Sequence, residues 1–167
     1  STVFSDAQQA KSIIEETLRA HHEVVLAAAV GKPDAHAGEL PVAYVQLVEG
    51  ATTAADELVA FVREHITEQA ALPKEVYILE AMPVTDVGKP NKVLLRLDAA
   101  RRTFSSALAA ALGTDLRIGV DVGPDASAGT LVTLSVPASS AEARGAIELQ
   151  IREIMKAYAA HYIVKWR

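Results

Sequence analysis

The sequence predicts an α+β fold in which a small β-sheet with helices packed on it is followed by a ββαβ extension. The first observation behind this prediction is that, along 167 residues, apolar residues at helical spacing alternate with short β-rich runs. The second is that the pattern starts again after Gly113, with two β-rich runs, a helical run and a last β-rich run. We therefore expect a domain over residues 1–112 and a ββαβ extension over residues 113–167 that docks on it.

Within the first domain, helices and strands are predicted in turn. Asp6 is the expected N-cap of a helix that runs to about Ala20. A buried strand is expected over Val24–Val30, because its residues are apolar without alternation, and a turn is expected at residues 31–34. The remaining predicted elements are a strand over Pro41–Val48, a helix from Thr53 through Ile66, a strand over Glu75–Leu79 and a helix over Val93–Leu112 that Gly113 ends.

The extension is predicted to contain a hairpin, a helix and a strand. Arg117–Val122 and Thr130–Val136 are β-rich runs joined by the turn-forming residues 123–129. Ser139 or Ser140 is the expected cap of a helix from Ala141 to about Ala159, and Tyr162–Trp166 is the expected last strand. Because three strands and one helix bury little surface, the extension is expected to dock on the first domain or to pair with a partner.

Composition excludes several classes of protein. Half of the residues are apolar, which is enough for a sizeable core. The net charge of −5 and an aromatic content of 5% argue against a nucleic-acid partner. No apolar run approaches the roughly 20 residues that cross a bilayer, and the N-terminus lacks the pattern of a signal peptide, so no transmembrane segment and a cytoplasmic location are expected. Without cysteine there is no disulfide, thiol nucleophile or thiolate metal site.

The loop Pro83–Lys92, hereafter the Lys89 loop, carries the candidate catalytic residue. Gly88 gives its backbone flexibility, and Pro90 keeps the following residues out of a regular ladder. Lys89 lies between them and is expected on a projecting, mobile tip. The alternative for a single Gly-Lys pair is an ordinary solvated turn.

Other candidate sites have weaker support. The five histidines show no two-His helical or His-x-His spacing with nearby carboxylates, so no metal site is expected. Glu15–Glu16 and Asp56–Glu57 are interpreted as solvated helix faces in preference to general acid–base pairs. Asp34 and Gly38 are expected to fix a turn. The serines lack the Gly-x-Ser-x-Gly elbow, and no dinucleotide-binding fingerprint is present.

Four segments occur in a fixed order along the chain. They are residues 14–21 (IEETLRAH), 28–45 (AAVGKPDAHAGELPVAYV), 72–74 (LPK) and 82–89 (MPVTDVGK). Together they resemble the C-terminal domain of adenylate-forming enzymes, most of all acyl-CoA synthetases of fatty acid metabolism, over about residues 9 to 104. The resemblance implies the α+β fold of that domain, which is the lid of an AMP-forming acid–thiol ligase.

The resemblance also implies a mechanism. A large N-terminal adenylation domain, in cis or in trans, would hold ATP and the carboxylic acid substrate. The lid would swing between two states, presenting Lys89 as the adenylation lysine in the first and withdrawing it for thioester formation in the second. Lys92 is then a candidate phosphate contact, with a solvated residue at the helix start as the alternative. ATP, Mg²⁺ and CoA are expected in the complete enzyme, and none is expected on this chain alone.

The chain departs from the family pattern at three places. Family members carry a glycine-containing hinge where this chain has Ser5–Ser12, and an apolar or basic residue where it has Pro90–Asn91. No phosphate-binding loop of a nucleotide domain is present, so the isolated chain is expected to be inactive. The alternative function is a stand-alone, non-catalytic binding or regulatory module that acts through the ββαβ tail or on a separate adenylation domain.

Overall fold

The computed structural model describes residues 3–67, 71–137 and 139–167. The described residues form four helices and six strands. In chain order these are α1 (Val3–Arg19), β1 (Val24–Asp34), β2 (Gly38–Leu47), α2 (Ala55–His65), β3 (Val76–Ile78), α3 (Lys92–Leu112), β4 (Gly119–Asp125), β5 (Gly129–Val136), α4 (Ala141–Ala157) and β6 (Tyr162–Trp166). The predicted α+β fold class is confirmed. No helix within the described ranges has both the length and the apolar character that crossing a membrane requires.

Two predicted boundaries at the start of the chain are wrong. Helix α1 begins at Val3, so Asp6 lies inside the helix and is not its N-cap. Strand β1 runs through the predicted turn at residues 31–34 and ends at Asp34. The turn comes later because the Oδ2 atom of Asp34 accepts hydrogen bonds from the backbone N–H groups of His36 (3.0 Å) and Ala37 (2.8 Å). Gly38 follows with a φ of 81°, so the expected turn-fixing role of Asp34 and Gly38 is confirmed.

Three further helix ends can be compared with the predictions. Helix α2 begins at Ala55 and not at Thr53, because the Thr53 hydroxyl donates to the carboxylate of Glu23 instead of capping the helix. The predicted cap of α4 is confirmed at Ser140, whose hydroxyl oxygen accepts from Ala143 N at 3.2 Å. Gly113 ends α3 with a φ of 85°.

The first sheet has the strand order β1-β2-β3, and β2 and β3 are parallel. Helices α1 and α2 supply the rest of its core. The buried residues of this core are Ile14, Leu18, Ala27, Ala29, Ala43, Val45, Leu58, Val62, Ile66, Ala71 and Val76.

The second sheet has the strand order β4-β5-β6. Strands β4 and β5 are antiparallel, and β5 and β6 are parallel. Its core includes residues of α3 as well as α4. The buried residues are Ala100, Phe104, Leu108, Val122, Val132, Leu134, Val136, Ile151 and Met155.

The backbone divides into two compact units. One comprises residues 1–32 and 39–96, and the other comprises residues 33–38 and 97–167. The division falls inside α3, whose residues from Ala100 onward contribute to the second core. The boundary after residue 112 and the docking of the extension stay predictions.

The two sheets are built in the same way. Each consists of a helix, a hairpin, a second helix and a last strand parallel to the second strand of the hairpin. We name α1 to β3 the first repeat and α3 to β6 the second repeat. Their hairpin turns differ at a single residue, since residues 33–38 read PDAHAG and residues 124–129 read PDASAG.

The turn geometry is shared as well. In the second repeat, Asp125 Oδ2 accepts from the N–H groups of Ser127 (3.0 Å) and Ala128 (2.9 Å), and Gly129 has a φ of 80°. When Asp34 is aligned with Asp125, core positions coincide. Ala27, Ala29, Ala43 and Val45 fall on Ile118, Val120, Leu134 and Val136, and after a shift of one position Ala10, Ile14 and Leu18 fall on Ala100, Phe104 and Leu108. The second repeat therefore reproduces the fold of the first.

Candidate functional site

The Lys89 loop is a short hairpin. Thr85 accepts a hydrogen bond from Gly88 N (2.9 Å) and donates one to Lys89 O (2.7 Å), while Val84 and Pro90 form a single bridge. Gly88 has a φ of 81°, as expected for the left-handed residue that closes a three-residue hairpin loop. Pro90 itself pairs with Val84. The ladder stops after that one pair, as expected because proline has no N–H to donate.

The side chain of Lys89 is exposed just after the tip of this hairpin. No ion pair or side-chain hydrogen bond joins it to any residue that the structure describes. Its charge is therefore available to an incoming group, and the backbone that carries it is held by the bond from Thr85. The flexibility expected of Gly88 stays a prediction.

Exposed apolar side chains surround Lys89 in sequence. Val84 is 48% exposed, Val87 79%, Val93 63% and Leu94 49%. Apolar spacing places both Leu94 and Leu95 on the apolar face of α3, and of the two only Leu95 is buried. Exposed apolar side chains on both sides of a cation favour a surface that becomes buried against another domain.

Hydrogen bonds hold both ends of the loop. At its start, the N–H of the buried Met82 donates to Gln46 Oε1 at 2.8 Å. At its end, Asn91 N donates to Pro83 O at 2.8 Å, and Asn91 Oδ1 accepts from Leu94 N at 3.2 Å. Asn91 is therefore the N-cap of α3, a role that was not predicted because the sequence pattern placed this residue in the loop.

Glu15 joins three elements next to the loop. Its Oε2 atom accepts from Ala29 N at 2.8 Å and lies 2.6 Å from Lys92 Nζ. The Glu15 side chain is only 12% exposed, so its interpretation as part of a solvated helix face is wrong. Lys92 is neither free nor fully solvated, since it is paired with Glu15, and its contact with phosphate stays a prediction.

The remaining candidates do not form a site. His21 stacks on His22 at 4.8 Å and contacts Phe61 edge-on at 4.9 Å. Among the residues that the structure describes, no three histidine or carboxylate side chains are close enough to hold a metal ion.

Residues 13–89 match the model of the AMP-binding enzyme C-terminal domain, and Lys89 is the last residue of the match. This segment belongs to that family. The segment runs from the second half of α1 through β3 to the lysine of the loop, so Glu15 and Gln46, which contact residues at the two ends of the loop, lie inside it.

Individual relatives are CoA ligases and CoA synthetases. The chain is 45% identical over 141 residues to a marinolic acid–CoA ligase of Pseudoalteromonas sp., covering 84% of this chain and 21% of that protein. It is 44% identical over 90 residues to an acetyl-coenzyme A synthetase of Deinococcus radiodurans, covering 52% and 13%. Among solved structures, a Brucella canis acyl-CoA synthetase matches with a TM-score of 0.50 and 29% identity over 56% of this chain and 18% of that one. The chain thus spans 13% to 21% of the length of these relatives.

The similarity to the marinolic acid–CoA ligase reaches into the second repeat. A matched stretch of 141 residues in a chain of 167 must include residues 28–140, whichever end it starts from. It therefore includes β4 and β5, which lie beyond the family segment. The similarity to the marinolic acid–CoA ligase therefore includes at least the hairpin of the second repeat.

Proposed function

We propose that this chain is the C-terminal domain of an AMP-forming acyl-CoA synthetase and that Lys89 is its adenylation lysine. The observation that carries the proposal is the geometry of Lys89. It is an exposed cation without a partner among the described residues, it lies on a hydrogen-bonded hairpin, and it stands at the end of the family segment.

A lysine on such a hairpin suits the chemistry of adenylation. When a carboxylate attacks the α-phosphorus of ATP, two anions meet and negative charge accumulates on the oxygens of the transition state. At about 4 Å and an effective dielectric constant of about 20, a cation contributes a gross attraction of about 4 kcal/mol. ATP, Mg²⁺ and the carboxylic acid would be bound by an N-terminal adenylation domain, and CoA would be the thiol of the second half-reaction.

The same lysine has no role in thioester formation. We expect the domain to swing away after adenylation, so that the charge of Lys89 leaves the site before CoA reacts. The exposed residues Val84 and Val87 would be buried only in the adenylation state. The isolated 167-residue chain is expected to be inactive, because it carries no phosphate-binding loop for ATP.

Replacing Lys89 with alanine tests the proposal in a protein that also contains the adenylation domain. We expect Lys89→Ala to lower the rate of acid-dependent ATP–pyrophosphate exchange roughly 100- to 1,000-fold, because one transition-state cation is lost. Thioester formation from supplied acyl-adenylate should stay within a factor of two of wild type, as roughly expected for a step that Lys89 does not touch.

Lys156→Ala is the matched control, since Lys156 is an exposed lysine on α4 in the second unit. It should leave both half-reactions unchanged. Equal losses in both half-reactions for Lys89→Ala, or normal pyrophosphate exchange, would contradict the proposed role.

A further inference from the structure

We infer that Glu15 and Gln46 are positioning residues that hold the Lys89 loop in the conformation in which its lysine acts. The inference rests on the proposed function, because it assumes that Lys89 is the residue being placed. Neither side chain reaches the lysine itself. Each contacts the backbone or the side chain of a residue at one end of the loop.

Gln46 holds the start of the loop. It lies near the end of β2, where its side-chain oxygen accepts from Met82 N at 2.8 Å. The Met82 side chain is buried, so this bond and the packing of the methionine fix the same residue. The chain leaves this fixed point toward the hairpin that begins at Val84.

Glu15 holds the end of the loop. Lys92, its partner at 2.6 Å, is the first residue of α3 and comes three residues after Lys89. The other bond of the same carboxylate oxygen, to Ala29 N, fixes Glu15 against β1. Because a charge-assisted bond to a largely buried carboxylate is stronger than an exposed surface pair, this contact ties the first residue of α3 to α1 and β1 and so restrains the position of Lys89, three residues earlier.

The second repeat adopts the same fold without counterparts of these two side chains. In the alignment that matches the core positions, Glu15 falls on Ser105 and Gln46 falls on Pro137. Serine cannot form the ion pair, and proline has no side-chain acceptor. The repeat that precedes the Lys89 loop has both anchors, and the repeat whose last strand ends at Trp166 has neither. This difference favours a role for Glu15 and Gln46 in the loop itself.

The first experiment measures loop order in the 167-residue chain. Backbone ¹⁵N relaxation should show that Glu15→Ala and Gln46→Ala lower the order parameters of residues 85–89 from about 0.85 to below about 0.6. Lys92→Gln breaks the ion pair at a residue whose side chain is 39% exposed, so it tests the same contact without opening the core. Lys92→Arg retains a cation opposite Glu15 and should keep the wild-type order parameters of the loop. Glu16→Gln is the control, because Glu16 is the neighbouring, exposed carboxylate.

The second experiment measures adenylation in a protein with its adenylation domain. We expect Glu15→Ala and Lys92→Gln to slow pyrophosphate exchange about tenfold, as a displaced catalytic group does, without slowing thioester formation from supplied acyl-adenylate. In a Lys89→Ala background the same substitutions should have no further effect, because there is no lysine left to place.

The outcomes separate the two claims. Full pyrophosphate exchange in Lys89→Ala would overturn the proposed function, and with it the positioning role. If Lys89→Ala slows pyrophosphate exchange while Glu15→Ala keeps an ordered loop and the wild-type exchange rate, only the inference is overturned. Equal losses from Glu15→Ala with and without Lys89 would also overturn it, since that result indicates a general structural effect.

Discussion

At the scale of single residues, backbone conformation determines which glycines can be replaced. Gly88 has a φ of 81°, a conformation that a side chain disfavours even though the space around it is open. Gly145 lies inside α4 without a positive φ, and, apart from the backbone of its own helix and its chain neighbours, no heavy atom lies within 4 Å of the position that a Cβ would take there. The two residues should therefore respond to alanine in opposite directions.

We expect Gly88→Ala to lower the free energy of unfolding by about 1 kcal/mol and Gly145→Ala to raise it by about 0.5 to 1 kcal/mol. The first change strains the hairpin, whereas the second removes backbone entropy from the unfolded chain. Urea unfolding of the two variants and wild type measures both values. Stabilisation by Gly88→Ala would contradict the hairpin geometry described for the Lys89 loop.

At the scale of elements, the two hairpin turns provide matched positions. The aspartate at the start of each turn accepts two backbone bonds, and the glycine at its end has a positive φ. Only the central residue differs, and both His36 and Ser127 use their backbone N–H in the same bond. Their side chains are therefore expected to be interchangeable.

The exchange His36→Ser with Ser127→His should change the free energy of unfolding by less than about 0.5 kcal/mol. Asp34→Ala and Asp125→Ala should each lower it by about 1 to 2 kcal/mol, because the carboxylate bonds to two N–H groups are lost. Thermal and urea unfolding would measure these effects. A large cost of the exchange would show that the two turns are not equivalent.

The sequence predicted elements well because periodicity is a local property. Turn boundaries were less accurate, since the carboxylate of Asp34 decides where β1 stops and apolar spacing does not record it. The anchors Glu15 and Gln46 were missed for a different reason. Their partners Lys92 and Met82 are distant in sequence, and only the folded chain brings them together.

At the scale of the whole molecule, the sequence predicted that the pattern starts again after Gly113, but not that the second part repeats the fold of the first. Helix α3 was attributed to the first domain, so the second sheet was interpreted as a ββαβ tail without its first helix. The core of that sheet contains Phe104 and Leu108 of α3, at the positions that Ile14 and Leu18 occupy in the first core. A tail that is too small for a core is thereby completed to a helix-hairpin-helix-strand repeat, with nine buried core residues among those that the structure describes.

Separate cores predict separate responses to a cavity. Leu134 is fully buried in the second core, and Leu134→Ala should cost about 2 to 5 kcal/mol there, because the lost methyl groups leave a void. We expect amide hydrogen exchange to accelerate in β4, β5, β6 and α4, and to stay at wild-type rates in β1, β2 and the Lys89 loop. Val45→Ala, in the first core, is the reciprocal variant and should produce the opposite distribution. If either substitution accelerated exchange equally in both sheets, the two repeats would form one cooperative unit, and the stability of the Lys89 loop would depend on the second repeat.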